Sequence, residues 1–212
     1  MFAAYKLYAL SDVTDFPIIF IATAWGPRHG GINAFNADLC RALAKRLGAT
    51  RPVVCVVAAT PTDGEKDNAQ AGGVRLLGTG GGTLDSGDVV SAVRDAGIRD
   101  VGWWVGHDVT TGPVALSARR AMGVGQVALI HHMAYGQYAG TKHGRGATGI
   151  SRHDSQRALF AQADRCFAVG PKLRNSINDM LIDVGRPEGY PGAGTGQGHL
   201  PGHGFRPDGC GG

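Results

Sequence analysis

The sequence predicts an α/β fold: a Rossmann-like, doubly wound and mostly parallel sheet in a single domain, followed by a Gly/Pro-rich tail. Three observations lead there. Short apolar runs alternate with amphipathic stretches at least four times along the chain, the signature of βα units. The apolar runs are continuous and rich in β-branched residues, as strands buried on both faces require. Turns carrying glycine or histidine follow several of these runs, where the carboxyl ends of parallel strands place ligand loops.

The first strand is Pro17 to Ala22, an unbroken apolar run. A turn at Gly30-Gly31 leads into a helix, with Phe35, Leu39, Leu43 and Leu47 at near-helical spacing and Asn33 placed to cap it. Gly48 closes that helix, and Pro52 to Ala59 forms the second strand. From Thr60 to Gly87 the composition turns polar and glycine-rich. That stretch reads as a surface loop holding a short edge strand at Val74 to Leu77, with Gly80-Gly81-Gly82 as a flexible connection. Asp88 to Ala96 reads as a short helix.

Val101 to Val105 is a third strong strand and ends in Gly106-His107-Asp108. A helix from Pro113 to Met122 leads to a strand at Gln126 to Ile130, which ends in His131-His132. Ser151 to Gln162 reads as a helix, Arg165 to Val169 as a strand, and Pro171 to about Val184 as a helix with proline in its first turn. The domain is therefore expected over residues 1–184. Residues 185–212 contain 11 glycines and 4 prolines with almost no apolar periodicity. Such a segment buries too little surface to offset the entropy of ordering it, so a disordered tail is expected there.

Bulk properties narrow the function classes. Hydrophobic residues at 43% and charged residues at 18% describe a soluble globular chain. Glycine, at 35 of 212 residues, runs at roughly twice the ordinary share. The formal net charge is +4, but Lys and Arg are scattered, with no run longer than Arg119-Arg120. That argues against nucleic acid and gives mild support to a phosphate-bearing ligand. Cys40, Cys55, Cys166 and Cys210 are widely spaced, with no CxxC or Cys/His cluster, so core thiols and a cytoplasmic setting are expected, not a disulfide framework or zinc site. The run Pro17 to Ala24 is about half the length needed to cross a bilayer, and no signal peptide or membrane span is expected.

Three constellations carry chemistry. The first runs Trp25-Gly26-Pro27-Arg28-His29-Gly30-Gly31-Ile32-Asn33 between a strand and a helix. A glycine turn into a helix N-terminus offers free N–H groups and the positive end of the dipole to a phosphate. It reads equally as a tight βα turn without a ligand. It is not the GxGxxG fingerprint, and no acidic residue clearly ends the second strand, which disfavours a dinucleotide cofactor. The second constellation is Gly106-His107-Asp108 with Thr110, Thr111 and Gly112. Its side chains can bind sugar hydroxyls or phosphate oxygens, with Asp108 orienting His107; alternatively Thr110 or Thr111 simply caps a helix. The third is Ile130-His131-His132-Met133-Ala134-Tyr135. Adjacent histidines after a strand point in opposite directions, so at most one ordinarily faces a cleft, and Tyr135 can stack on a sugar ring. A metal would need further ligands at sensible spacing, and none is seen.

In their order and their placement at successive strand ends, these segments resemble the N-terminal domain of retaining glycosyltransferases of the GT-B architecture, of the glycogen synthase and sucrose-phosphate synthase type. The resemblance spans about Phe16 to Val184. It rests on His29-Gly30-Gly31-Ile32 before a Leu/Ala helix, His107-Asp108 before Thr111-Gly112, Ile130-His131 with Ala134-Tyr135, and Ala163-Asp164 leading into Phe167-Ala168-Val169-Gly170-Pro171. It implies transfer of a sugar from a nucleotide-diphosphate sugar to a sugar or other hydroxyl acceptor, with retention at the anomeric carbon and no cofactor or bound metal. His29, Gly30 and Gly31 would lie at the donor diphosphate, and His131 beside the transferred sugar as the catalytic group. His107, Asp108 and Tyr135 would line the acceptor side.

In that architecture a C-terminal domain supplies most nucleotide contacts, and the sequence shows no such domain before the glycine tail. An incomplete enzyme that transfers little sugar alone is therefore expected. The alternative is a non-catalytic module that senses a nucleotide or sugar. No GxSxG elbow supports a hydrolase. The loop from Ala134 to Ile150 is expected to face the acceptor; Tyr138, Lys142, His143 and Arg145 there can meet a polar or anionic acceptor, though each taken singly reads more readily as part of a solvated loop.

Overall fold

The computed structural model describes residues 16–135 and 147–182. Six strands form one sheet: β1 (Ile18–Ala22), β2 (Val53–Val57), β3 (Val74–Gly78), β4 (Trp103–His107), β5 (Gln126–His131) and β6 (Arg165–Ala168). Their order is β3-β2-β1-β4-β5-β6, and every pairing is parallel. Phe20 of β1 stands between Cys55 of β2 and Val105 of β4. The edge position expected for the Val74 strand is the one it occupies.

Alternation along β1 splits the core in two. Ile19 and Ile21 face one cluster, while Ile18, Phe20 and Ala22 face the other. The second cluster is closed by helices α1 (Gly31–Leu47), through Ala37 and Cys40, and α2 (Asp63–Ala71), through Ala69. The first is closed by α3 (Ser86–Asp95), α4 (Asp108–Met122), α5 (Ala147–Phe160) and α6 (Pro171–Ile182). Helices on both faces explain why these strands read as unbroken apolar runs: every residue of β1 and β2 is buried. Each fully buried aliphatic or aromatic side chain contributes roughly 1.5–3 kcal/mol.

Four local readings are corrected. The polar stretch after Thr60 contains α2, which is not a loop. Only Ala69 of that helix is buried, so hydrophobic periodicity is silent there. The helix is announced instead by a capping box: Thr62 Oγ1 accepts from Glu65 N at 3.3 Å, and Glu65 Oε2 accepts from Thr62 N at 2.9 Å. Gly80 to Gly82 is tied down, because Gly82 N–H and the Thr79 hydroxyl both donate to Ala58 O. Helix α3 starts at Ser86, capped by Asp85 at Gly87 N, before the expected Asp88.

The start of α4 is the fourth correction and the one that builds the site. The helix begins at Asp108, five residues ahead of Pro113. Thr111 Oγ1 reaches back to accept from His107 N at 2.8 Å, which turns the strand directly into the helix. The turn is tight because β4 and α4 nearly touch through two glycines. A Cβ on Gly106 would meet Gly112 Cα at 2.7 Å and Thr111 O at 2.9 Å. Asp108 takes up the remaining strain with φ 42°, a left-handed conformation that Asp tolerates better than most residues.

The free cysteines Cys40, Cys55 and Cys166 are buried, as core thiols. Cys210 and the expected tail at 185–212 lie outside the described residues, as does most of the Ala134 to Ile150 loop.

Candidate active site

In a doubly wound sheet the crevice forms where neighbouring strands send their chains to opposite faces, here between β1 and β4. A cavity of about 240 Å³ opens at that point, and Thr23, Gly30, Gly31, Asn33, His107 and Thr111 line it. A larger space of about 670 Å³ adjoins it, shares Thr23 and His29, and extends past Trp25 and Arg28 to Glu65.

The α1 N-terminus forms one wall. Gly30 has φ 98° and ψ 171°, a region essentially confined to glycine, so the turn depends on that residue. The first-turn N–H groups have no partner within the helix, and the first turn carries no acidic residue to neutralise the dipole. Asn33, expected as the cap, lies inside the helix and does a different job. Its Oδ1 accepts from Thr23 Oγ1 at 3.1 Å and Ala24 N at 3.3 Å, and its Nδ2 donates to His29 O at 2.8 Å. The side chain thus pins the loop between β1 and α1 open. His29 stands at the rim, with Nε2 3.5 Å from Glu65 Oε1. The Thr62 backbone N–H holds the Glu65 carboxyl below its ordinary range.

The opposite wall rests on a buried polar chain. His107, without solvent exposure, places Nε2 2.8 Å from Asn36 Oδ1 and Nδ1 2.9 Å from His132 Nε2. Burial, reinforced by the neighbouring His132, pushes His107 down to about 3 against a weaker upward pull from Asp108. His132 is half-buried and also lowered, again chiefly by burial. The edge of Phe35 packs against both rings.

Asp108 does not orient His107 as expected; it serves the other histidine. Its carboxyl oxygens accept from His131 Nδ1 at 2.9 Å, Gln156 Nε2 at 2.7 Å, and the backbone N–H of His132 at 2.7 Å and Met133 at 3.1 Å. His131 has no exposed surface, and its Nε2 lies 3.3 Å from Ser176 Oγ. The two histidines do point apart. His131 goes into the core under α5 and α6, and His132 goes toward His107. Tyr135 is half-buried with the Arg152 guanidinium 5.9 Å from its ring centre, and burial raises its phenol.

The site therefore brings together His29, Gly30, Gly31 and His107 of the expected residues. His131 and Asp108 lie beneath it. Sequence reasoning missed Asn36, His132 and Gln156 as site-builders. Two of them had a visible signal, because Asn36 and Gln156 are amides on the buried faces of helices, where an apolar residue is the default. Among the described residues, no three His, Cys, Asp or Glu side chains converge to hold a metal ion, and no helix is long and apolar enough to cross a membrane.

No curated protein matches the chain. Residues 19–191 match the model of a family described as family 4 glycosyltransferases in conflict systems. That match takes in all six strands but for Ile18, the glycine turn, both histidine-bearing strand ends and the first residues of the Gly/Pro-rich segment. The doubly wound sheet, the glycine-turned helix at its switch point and this match lead to one conclusion: the chain belongs to the glycosyltransferase family 4 group found in conflict systems.

Proposed function

We propose that this chain supplies the acceptor-side half of a retaining glycosyl-transfer site, where a sugar passes from a nucleotide-diphosphate sugar to a hydroxyl acceptor. One observation carries the reading. The un-neutralised N-terminus of α1, behind a turn only glycine can make, opens on a cavity at the switch point of the sheet. In this reading the Gly30-Gly31 turn and His29 face the donor diphosphate. Thr23 and Thr111 border the sugar, and Tyr135 belongs to the acceptor side. His107 borders the cavity from the β4 end, and Asp108 acts from beneath it.

His131 enters as a positioning residue. Its ring is held by Asp108 and Ser176, so it fixes the end of β5 and does not reach the cavity. No Lys or Arg lines the cavity at the switch point among the described residues, and Arg28 borders the larger space beside it. With so little positive side-chain charge at the donor side among the described residues, transfer by this chain acting alone is expected to be slow.

Calorimetric titration of the 212-residue protein with UDP-, ADP- and GDP-glucose, followed by a transfer and hydrolysis assay, tests the reading. Binding of a sugar nucleotide that Gly30→Ala weakens supports it. No binding, or binding indifferent to Gly30→Ala, refutes it. Tight binding with no turnover, whatever acceptor or partner is added, favours the sensing module.

A further inference from the structure

Two histidines line the cavity at the switch point, and they differ in their access to charge. His107 is fully buried; burial, then the neighbouring His132, pushes it down to about 3, which leaves it neutral. His29 is exposed, lines the larger adjoining space as well, and places Nε2 3.5 Å from Glu65 Oε1. We propose that Glu65 is a positioning residue of the site: its carboxylate pairs with protonated His29, and the site takes an anionic group through His29 only in that state, so binding takes up a proton and weakens as pH rises. The inference rests on the transfer reading above, in which His29 faces the donor diphosphate. It adds the residue that acts on His29 and the condition under which the ring binds.

The Glu65 carboxylate is set by its own helix, not by His29. Its Oε2 accepts from Thr62 N and from Thr62 Oγ1, each at 2.9 Å, and this leaves Oε1 to face His29. The Thr62 backbone N–H holds the carboxyl below its ordinary range, so it is ionised throughout the range in which imidazoles change charge. The capping box thus does two things: it starts α2, and it aims a fixed negative charge at the β1–α1 turn.

The imidazole passes that charge on. Among the described residues Nε2 has Glu65, and Nδ1 has no protein partner. A protonated ring donates from both nitrogens, so it can hold Glu65 on one side and a phosphate oxygen on the other. A neutral ring with its hydrogen on Nε2 turns a lone pair on the phosphate; with its hydrogen on Nδ1 it turns one on Glu65. Either neutral form loses one of the two contacts, because both flanking groups only accept. The other charged groups nearby do not replace the ring. Arg28, beside it in the turn, is a guanidinium that stays charged, so it gives binding no pH dependence. Asp63 and Lys66 of α2 pair with each other at 3.3 Å, and α1 brings no acidic residue in its first turn.

Calorimetric titration of the full chain with UDP-, ADP- and GDP-glucose at pH 6, 7 and 8.5, in two buffers of different ionisation enthalpy, tests the proposal. The diphosphate diester of these compounds does not itself titrate in that range. The wild type is expected to bind about tenfold more weakly at pH 8.5 than at pH 6 and to take up part of a proton on binding at pH 7. His29→Gln should lose both the pH dependence and the proton uptake. Glu65→Gln keeps an acceptor for Thr62 N and should move the fall to lower pH, binding more weakly than the wild type at pH 7 and no more weakly at pH 8.5. Equal losses in Glu65→Gln at both pH values mean that Glu65 only supports α2, and they overturn the proposal. So does a pH dependence that survives in His29→Gln. Where the variants fold poorly, the wild-type pH profile and proton uptake decide alone. Binding that ignores pH while Gly30→Ala still weakens it overturns the proposal and leaves the transfer reading standing. If none of the three compounds binds, both readings fall together.

Discussion

Acidification tests the buried histidine chain directly. His107 is fully enclosed, and its pKa falls from the ordinary 6.5 to about 3. The unfolded chain takes up a proton at His107 below about pH 6.5, while the folded chain resists until about pH 3, so acid favours unfolding across that window. Because the folded pKa is depressed, the stability is fully present above pH 6.5 and is lost as pH falls. From pH 7 to pH 5 the loss works out to about 2 kcal/mol for this one group, close to one proton per molecule. Over that range the magnitude depends almost wholly on the unfolded pKa, since the folded site stays neutral throughout.

The assay is urea denaturation at pH 7 and pH 5 of the wild type and His107→Asn, which keeps an acceptor toward His132 but does not titrate. The stability gap between the two proteins should shrink by about 2 kcal/mol on going to pH 5. A gap that does not change with pH means that His107 is hydrated or already charged in the folded state, and it refutes the burial argument.

Four further outcomes are expected. Asp108→Ala removes the shared acceptor of four donors, of which Gln156 Nε2 keeps its bond to Met133 O, and should cost at least about 3 kcal/mol by chemical denaturation. Asp108→Asn, which keeps an oxygen and tolerates φ 42°, should cost clearly less, and equal losses would contradict the hub assigned to that carboxyl. Gly106→Ala should lose about 1–3 kcal/mol, because its Cβ meets backbone atoms of α4 that cannot rotate away; a wild-type melting temperature would count against the close approach. Gly30→Ala meets no neighbouring atom, so its cost of about 1–3 kcal/mol should come from backbone strain alone and should accompany weaker nucleotide-sugar binding. Thr62→Ala should cost about 1 kcal/mol and raise hydrogen exchange in α2 while leaving α4 unchanged.

The sequence by itself determined the layered fold. Its apolar runs mark the six strands, most plainly the four inner ones, because a strand buried on both faces cannot hide its composition. The glycine turn before α1 was equally legible, since only glycine adopts that backbone and it stands between a strand and a helix. Helix α2 was written in a weaker code, the Thr62–Glu65 capping box, because it buries almost nothing.

The roles of the histidines were decided by the tertiary structure. Ring orientation depends on partners far along the chain: Asn36 lies 71 residues from His107, and Gln156 lies 48 from Asp108. Neighbours in sequence share a backbone direction but not a hydrogen-bond partner, so Asp108 passes over adjacent His107 to hold His131 on the next strand. Such pairings exist only once β4, β5 and the helices around them have closed, and that closure buries His131 as a support and sets half-buried His132 against His107.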